Sequence, residues 1–132
     1  MTTAAGEFTV SSWDEDTYAE LDGSRKLTRA SVGQDFSGDI TGKGRVEWLM
    51  SYRDDGTARF VGLQQIAGRM GDREGTFVVE SIGDFDGTEA RGVWSVVSDS
   101  GTGDFVGLKG AGDFTAPMGG TPAFQLEYLI DD

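Results

Sequence analysis

Apolar and polar side chains alternate along most of this chain with the period of a β-strand. Val46, Trp48, Met50 and Tyr52 are the clearest example, because successive residues of a strand point to opposite faces. No segment combines a helical period with capping residues. The pattern predicts about eight strands, over residues 6–13, 26–36, 44–53, 57–66, 76–82, 90–97, 103–114 and 122–130.

Short turns separate the predicted strands. Asp54-Asp55-Gly56 is typical of a hairpin turn, since Asp-Gly suits the positive φ that such turns require. Links of this length join antiparallel neighbours, so we expect a meander. Residues 14–23 are acidic and without a period, and we predict a solvated loop there. The spacing of their carboxylates does not fit a Ca²⁺-binding loop of the EF-hand type.

The segment 56–63 is nearly repeated at 101–108. Both copies contain Gly-Thr and Phe-Val-Gly-Leu, and Trp48 and Trp94 precede them at similar distances. We interpret this as an internal repeat of a three-strand unit; the alternative is chance similarity in a glycine-rich β sequence. Two such units and two leading strands make one antiparallel β-barrel of about eight strands, whose closure removes exposed sheet edges. We expect residues 1–132 to form this single domain.

Alternate residues of each predicted strand share one face, and we place the face rich in aromatic residues inside the barrel. A barrel of this size either fills its interior or holds one small ligand. We expect Gly62 and Gly107 to leave space inside, at two related places. The alternative, a filled barrel with a packed aromatic core, stays open. The predicted ligand-binding residues form apolar walls with a few polar groups: Trp48, Met50, Tyr52, Phe60, Gln64, Phe77, Trp94 and Tyr128.

The opposite strand face mixes apolar and acidic residues. Leu49, Val61 and Leu63 would form an exposed apolar patch, which usually marks a partner surface. We therefore predict a homo-oligomer that covers part of this face. The glutamates of this face become candidate buried acids only if the assignment of faces is reversed: Glu47, Glu80 and Glu127.

Composition excludes several classes of function. The chain has 11 basic and 23 acidic residues and a net charge of −12, which disfavours nucleic acid and anionic membranes as partners. It has no Cys and no His, so it lacks thiolate metal sites and the commonest proton shuttle. We expect no metal and no cofactor.

No signal peptide or membrane-spanning run is present, which predicts a soluble cytoplasmic protein.

No sequence motif identifies catalytic residues, which are therefore unknown from the sequence. A nucleophile elbow of the Gly-x-Ser-x-Gly type is absent. Tyr52 or Tyr128 can donate a hydrogen bond to a developing oxyanion. Arg29 and Arg53 can anchor a carboxylate ligand, although pairing with surface acids is the ordinary role of such residues.

Several stretches resemble, in order, a bacterial family of small proteins of unknown function. They lie at 8–15, 26–32, 36–39, 60–63, 75–78, 101–103 and 107–108. The family is described as having an allene-oxide-cyclase-like barrel, so the resemblance implies an eight-stranded antiparallel β-barrel. Members often have Glu where this chain has Gln64. No activity is established for the family, and no catalytic residue can be transferred from it.

Barrels of this broad fold include cofactor-free cyclases that hold an apolar substrate inside. This analogy is one of fold only. We therefore predict a small-molecule-binding β-barrel and, as a narrower hypothesis, a cofactor-free isomerase or cyclase acting on an apolar ligand. The alternative is a non-catalytic binding or structural protein that has a filled barrel and associates through its outer face.

Overall fold

The computed structural model describes residues 1–131, which form one closed antiparallel barrel. Each strand pairs with its neighbour in the chain, and β1 pairs with β8 to close the ring. The predicted all-β fold is thereby confirmed. The strands are β1 (Thr2–Glu20), β2 (Lys26–Gly38), β3 (Thr41–Tyr52), β4 (Ala58–Met70), β5 (Arg73–Phe85), β6 (Glu89–Val96), β7 (Leu108–Pro117) and β8 (Ala123–Ile130).

The barrel has two different ends. The β3–β4, β5–β6 and β7–β8 turns lie at one end, which we call the mouth. The β2–β3 and β4–β5 turns and the β6–β7 connection lie at the other end, which we call the base. No helix within residues 1–131 is long and apolar enough to cross a membrane.

β1 runs through the acidic segment as far as Glu20, so the loop predicted at 14–23 is wrong for residues 14–20 and correct only for residues 21–23. The strand stays paired with β2 as far as Glu20 and Lys26, whereas its pairing with β8 ends at Glu7. Register shifts occur between Val10 and Ser12 and again between Thr17 and Ala19. Each bulge adds one residue to β1, and this reverses the side-chain alternation. The period of two is therefore lost from the sequence although the strand continues.

The second copy of the repeated segment is not a strand. β7 begins at Leu108, and a short 3₁₀ helix covers Gly103–Phe105, so the strand predicted at 103–114 starts too early. Gly103 and Gly107 have φ values of 61° and 84°, in the left-handed region that regular strands do not use. Phe105 is buried at the base against Phe77, at a ring-centroid distance of 5.4 Å. The sequence repeat thus has no structural counterpart at this segment.

Aromatic rings inside the barrel lie across glycines of neighbouring strands. The directly paired residues are Trp48 and Gly62, Phe60 and Gly83, Phe114 and Gly92, and Phe124 and Gly6. A Cβ atom added at Gly62 would lie 2.5 Å from Cε3 of Trp48. The absence of a side chain therefore lets a flat ring pack against the backbone.

The space expected at Gly62 and Gly107 is not there, which corrects the prediction. The indole of Trp48 occupies the position beside Gly62. Gly107 belongs to the β6–β7 connection and lies against the backbone carbonyl of Asp131. Neither glycine therefore opens a void in the interior.

The interior face assigned from parity is correct. Its apolar residues are buried or partly buried, and four buried polar residues join them: Thr28, Gln34, Gln64 and Ser81. Leu49, Val61 and Leu63 are exposed on the outer face. The buried apolar residues of β3, β5, β6 and β8 are Val46, Trp48, Met50, Phe77, Val79, Trp94, Phe124 and Leu126.

Candidate functional site

A cavity of about 260 Å³ opens at the mouth of the barrel. Its walls are almost entirely apolar, with Gln34 and the Tyr52 hydroxyl as the main polar groups. Pockets for small molecules usually span roughly 300–1,000 Å³, so this cavity suits a small ligand. The lining residues are Phe8, Val10, Trp13, Gln34, Trp48, Met50, Tyr52, Phe60, Phe85, Ala90, Phe114 and Ala116.

Phe114 connects the cavity with the rest of the core. Its ring centroid lies 6.1 Å from that of Phe8 and 6.2 Å from those of Trp48, Phe60 and Trp94. Contacts of this kind between aromatic rings add to the gain from burial. The wall of the cavity is therefore part of a packed aromatic cluster.

Half of the residues predicted to bind a ligand line this cavity. Trp48, Met50, Tyr52 and Phe60 come from the mouth-proximal ends of β3 and β4. Alternation in the sequence identified these inward-facing residues. The closing β3–β4 turn brings them to the same end of the barrel.

The other four predicted residues do not line the cavity, which corrects the prediction. Gln64 is buried and donates a hydrogen bond from Nε2 to Oε1 of Gln34. Phe77 packs at the base, and Trp94 is stacked on Phe124 at 5.6 Å. Tyr128 lies near the base end of β8, paired with Thr2. Parity selects the inner face but does not give the height of a residue along the barrel axis.

The sequence prediction missed cavity-lining residues from five strands, β1, β2, β5, β6 and β7. Trp13 was missed because the bulge after Val10 turns its side chain to the same face of β1 as that of Phe8. Ala90 and Ala116 are directly paired across β6 and β7, and their small side chains leave room at the mouth. The signal that could have found them is the position of small residues next to predicted mouth turns.

A carboxylate stands at the rim of the cavity, on the segment that the sequence predicted as a loop. Nε1 of Trp13 donates a hydrogen bond to Oε1 of Glu15 at 3.0 Å. The hydroxyls of Thr28 and Tyr52 both donate to Oε2 at 2.7 Å. Burial raises the pKa of Glu15, but these three hydrogen bonds and the charge of Lys26 outweigh it and lower that pKa. Glu15 is therefore an ionised acceptor at neutral pH.

Tyr52 links the cavity wall to this carboxylate. Burial raises the pKa of Tyr52, and the hydrogen bond to Glu15 and its negative charge raise it further. The phenol thus keeps its proton and directs it to Glu15. The hydroxyl is not free to stabilise an oxyanion on a ligand unless that hydrogen bond is broken.

A polar groove adjoins the cavity, and Tyr52 borders both. The groove has a volume of about 460 Å³, and its walls include Glu15, Lys26, Arg53 and Asp54. Arg29, the other arginine considered as a carboxylate anchor, is not near the cavity. It lies on the outer face, where its guanidinium donates to Glu47 at 2.8 Å.

An apolar row crosses the outside of the barrel. Leu49, Val61, Ile82 and Val93 are directly paired from β3 to β6, and Leu63 lies beside them with 58% of its surface exposed. We call these five residues the outer patch. Hydrogen bonds from Ser31 and Arg29 lower the pKa of the neighbouring Glu47, so this acid is ionised.

No group of three or more His, Cys, Asp or Glu side chains within residues 1–131 is arranged to hold a metal ion.

Comparisons with known proteins agree on a family without an assigned activity. Residues 4–128 match DUF3224, described as a protein of unknown function. A crystal structure of a protein of unknown function from the DUF3224 family of Shewanella oneidensis MR-1 is similar, with 26% sequence identity and a TM-score of 0.85. The match covers 100% of this chain and 99% of that one. Comparison with curated proteins yields no match.

Proposed function

Because this chain belongs to the DUF3224 family, whose function is unknown, we propose a function from the barrel itself: it binds a small apolar molecule in the mouth cavity. The observation that carries this proposal is the nearly unbroken apolar wall around about 260 Å³ of space. Water gains few hydrogen bonds in such a cavity, so an apolar ligand displaces it favourably.

The distribution of packing along the barrel supports a pocket over a filled barrel. The base is closed by Phe105 against Phe77, and the middle is filled by rings that lie across glycines. At the mouth, the opposed Ala90 and Ala116 leave the space between aromatic walls open. A purely structural barrel has no need of this open space, because larger side chains in place of Ala90 and Ala116 would fill it.

A cofactor-free isomerase or cyclase is the narrower form of the proposal. The cavity can fold an apolar substrate by shape, which lowers the entropic part of a ring-closure barrier. Glu15 and Tyr52 are the titratable groups at its rim. A ligand recovered unchanged, by mass spectrometry and NMR, after long incubation with the protein would indicate binding without this reaction.

Filling the cavity should abolish ligand binding. We expect Ala116→Leu to weaken binding of small aromatic compounds, such as p-cresol and 2-(1-naphthyl)ethanol, by about tenfold or more, equivalent to about 1.4 kcal/mol. Isothermal titration calorimetry gives the affinities. Ala111→Leu is the matched control, since Ala111 is exposed on the same strand. Absence of binding to the unmodified protein at millimolar concentration, or equal binding by both variants, contradicts the proposal.

The outer patch supports a second part of the proposal, association with another copy of the chain. Its exposed leucines and valines are costly to leave in water. On the mouth side of the patch Arg59 is ion-paired with Asp84 at 2.6 Å, and on the base side Glu80 lies opposite Leu63. A surface with both signs of charge can complement itself across a two-fold axis. Such complementarity is needed because two copies that each carry a net charge of −12 repel one another.

The association has a direct test in the molar mass. We expect the unmodified chain to elute with twice the monomer mass of 14.1 kDa, and Val61→Lys to elute as a monomer. Size-exclusion chromatography with light scattering at micromolar concentration measures both. Gln125→Lys adds the same charge to an exposed position of β8 and should stay dimeric. A monomeric unmodified protein contradicts this part of the proposal.

The remaining expectations about partners belong to the same proposal. The proposed ligand is an apolar small molecule. We propose that the protein binds neither nucleic acid nor membranes and that it acts in the cytoplasm. The net charge of −12 supports the exclusion of both polyanions, since a surface this acidic repels phosphate groups.

A further inference from the structure

The polar groove is placed to hold a second part of the same ligand. It meets the apolar cavity at Tyr52. The ring of Tyr52 lines the cavity, and its hydroxyl donates a hydrogen bond to Glu15, which lines the groove. A ligand whose apolar part fills the cavity would therefore extend its remaining atoms into the groove.

Most charged groups of the groove are already engaged. Arg53 donates to the hydroxyl of Thr57 at 3.1 Å and to Asp84 at 2.9 Å. Asp54 accepts a hydrogen bond from the backbone N–H of Ser24 at 2.8 Å. Glu15 accepts its three hydrogen bonds from Trp13, Thr28 and Tyr52.

Lys26 differs from these groups. Its Nζ lies 5.0 Å from the centre of the Tyr52 ring, and the side chain is half-buried. Within residues 1–131 its ammonium takes part in none of the side-chain hydrogen bonds and none of the ion pairs. An ammonium carries three N–H donors, so Lys26 offers unused donors and a positive charge beside the cavity.

We propose that the ligand is an amphipathic carboxylate, with its apolar part in the mouth cavity and its carboxylate paired with Lys26 in the groove. This inference rests on the proposed function. A carboxylate is favoured over a phosphate because, among the described residues that line the groove, Lys26 is the cation without a hydrogen-bonded partner, and two acids, Glu15 and Asp54, lie beside it. A dianion would leave negative charge uncompensated there.

The gain from this contact should be moderate. Lys26 is only half-buried, so solvent and salt screen its charge. We expect a carboxylate to bind roughly 3–10 times more tightly than a neutral ligand of the same shape. The preference should shrink as the ionic strength rises.

Paired probes test the head group separately from the cavity. Calorimetry at low salt compares 1-naphthylacetate with 2-(1-naphthyl)ethanol, which has the same carbon skeleton. We expect the acid to bind more tightly to the unmodified protein, and Lys26→Gln to remove that preference by weakening the binding of the acid much more than that of the alcohol. Lys26→Arg and the distant Lys43→Gln should both keep the preference.

Each contrary result has its own meaning. Equal or weaker binding of the acid, or a preference that persists in Lys26→Gln, overturns the inference about the head group and leaves the cavity proposal standing. Tighter binding of 1-naphthyl phosphate than of the acid overturns the choice of a carboxylate. Binding of neither naphthyl compound contradicts the proposed function itself.

Discussion

Replacing Phe114 with alanine is expected to lower the free energy of unfolding by about 3–5 kcal/mol. The side chain is 6% exposed, and its ring lies next to those of Phe8, Trp48, Phe60 and Trp94. Its removal would join the mouth cavity to a new void in the middle of the barrel. The cost combines the lost burial of the ring with the cavity left behind, because the surrounding strands form a closed ring and cannot collapse inward.

Urea denaturation followed by circular dichroism measures this loss. Phe85→Ala is the control, since Phe85 also lines the cavity but is only half-buried; we expect about 1 kcal/mol for it. Phe114→Leu should recover a large part of the stability because it refills most of the volume. If Phe114→Ala costs no more than Phe85→Ala, Phe114 does not hold the aromatic cluster together.

Replacing Gly62 with alanine is the second substitution with a large expected effect, a loss of about 2–3 kcal/mol. The added methyl group would lie 2.5 Å from Cε3 of Trp48 and 2.6 Å from the backbone carbonyl oxygen of Glu47. The ring has little freedom to move away, because it packs edge-on against Phe60 at a centroid distance of 4.7 Å. The strands themselves must then separate locally.

Gly33→Ala is the matched control for this measurement. It makes the same chemical change, but its methyl group would meet the hydroxyl oxygens of Ser12 and Ser11 at 2.7 and 2.9 Å. These exposed side chains can rotate away, at the cost of the hydrogen bond that Ser12 Oγ accepts from the backbone N–H of Gly33. A double-mutant cycle with Trp48→Leu isolates the contact. Gly62→Ala should cost less in the Trp48→Leu background. An equal cost in both backgrounds would show that the indole is not the obstacle.

The regular strands could be predicted from the sequence because nothing interrupts their pairing. β3 and β4 are paired residue by residue from Tyr52 and Ala58 down to Thr41 and Arg69, so the alternation of side chains in the sequence survives in the barrel. The inner and outer faces follow directly from it. The repeated Phe-Val-Gly-Leu was misleading, because a positive φ at Gly107 takes the second copy out of the sheet.

The site was only partly predictable, for two physical reasons. The height of a residue in a barrel depends on the stagger between strands, which local alternation does not contain; Trp94 and Tyr128 were misplaced for this reason. Because of the bulges in β1, the alternation in the sequence does not show to which face Trp13 and Glu15 point. The resulting rim of the cavity, including the carboxylate, comes from the part of the chain that looked least like a strand.

The length of β1 has a further consequence for the solubility of the protein. Beyond Glu7 this strand is paired with β2 but no longer with β8, so one side of it is a free edge in an otherwise closed barrel. Such edges recruit strands from other molecules and start aggregation. Here the edge carries Asp14, Glu15, Asp16 and Glu20, whose mutual repulsion would oppose the approach of an identical strand. These acidic side chains therefore oppose the pairing of a second molecule with this open edge of β1.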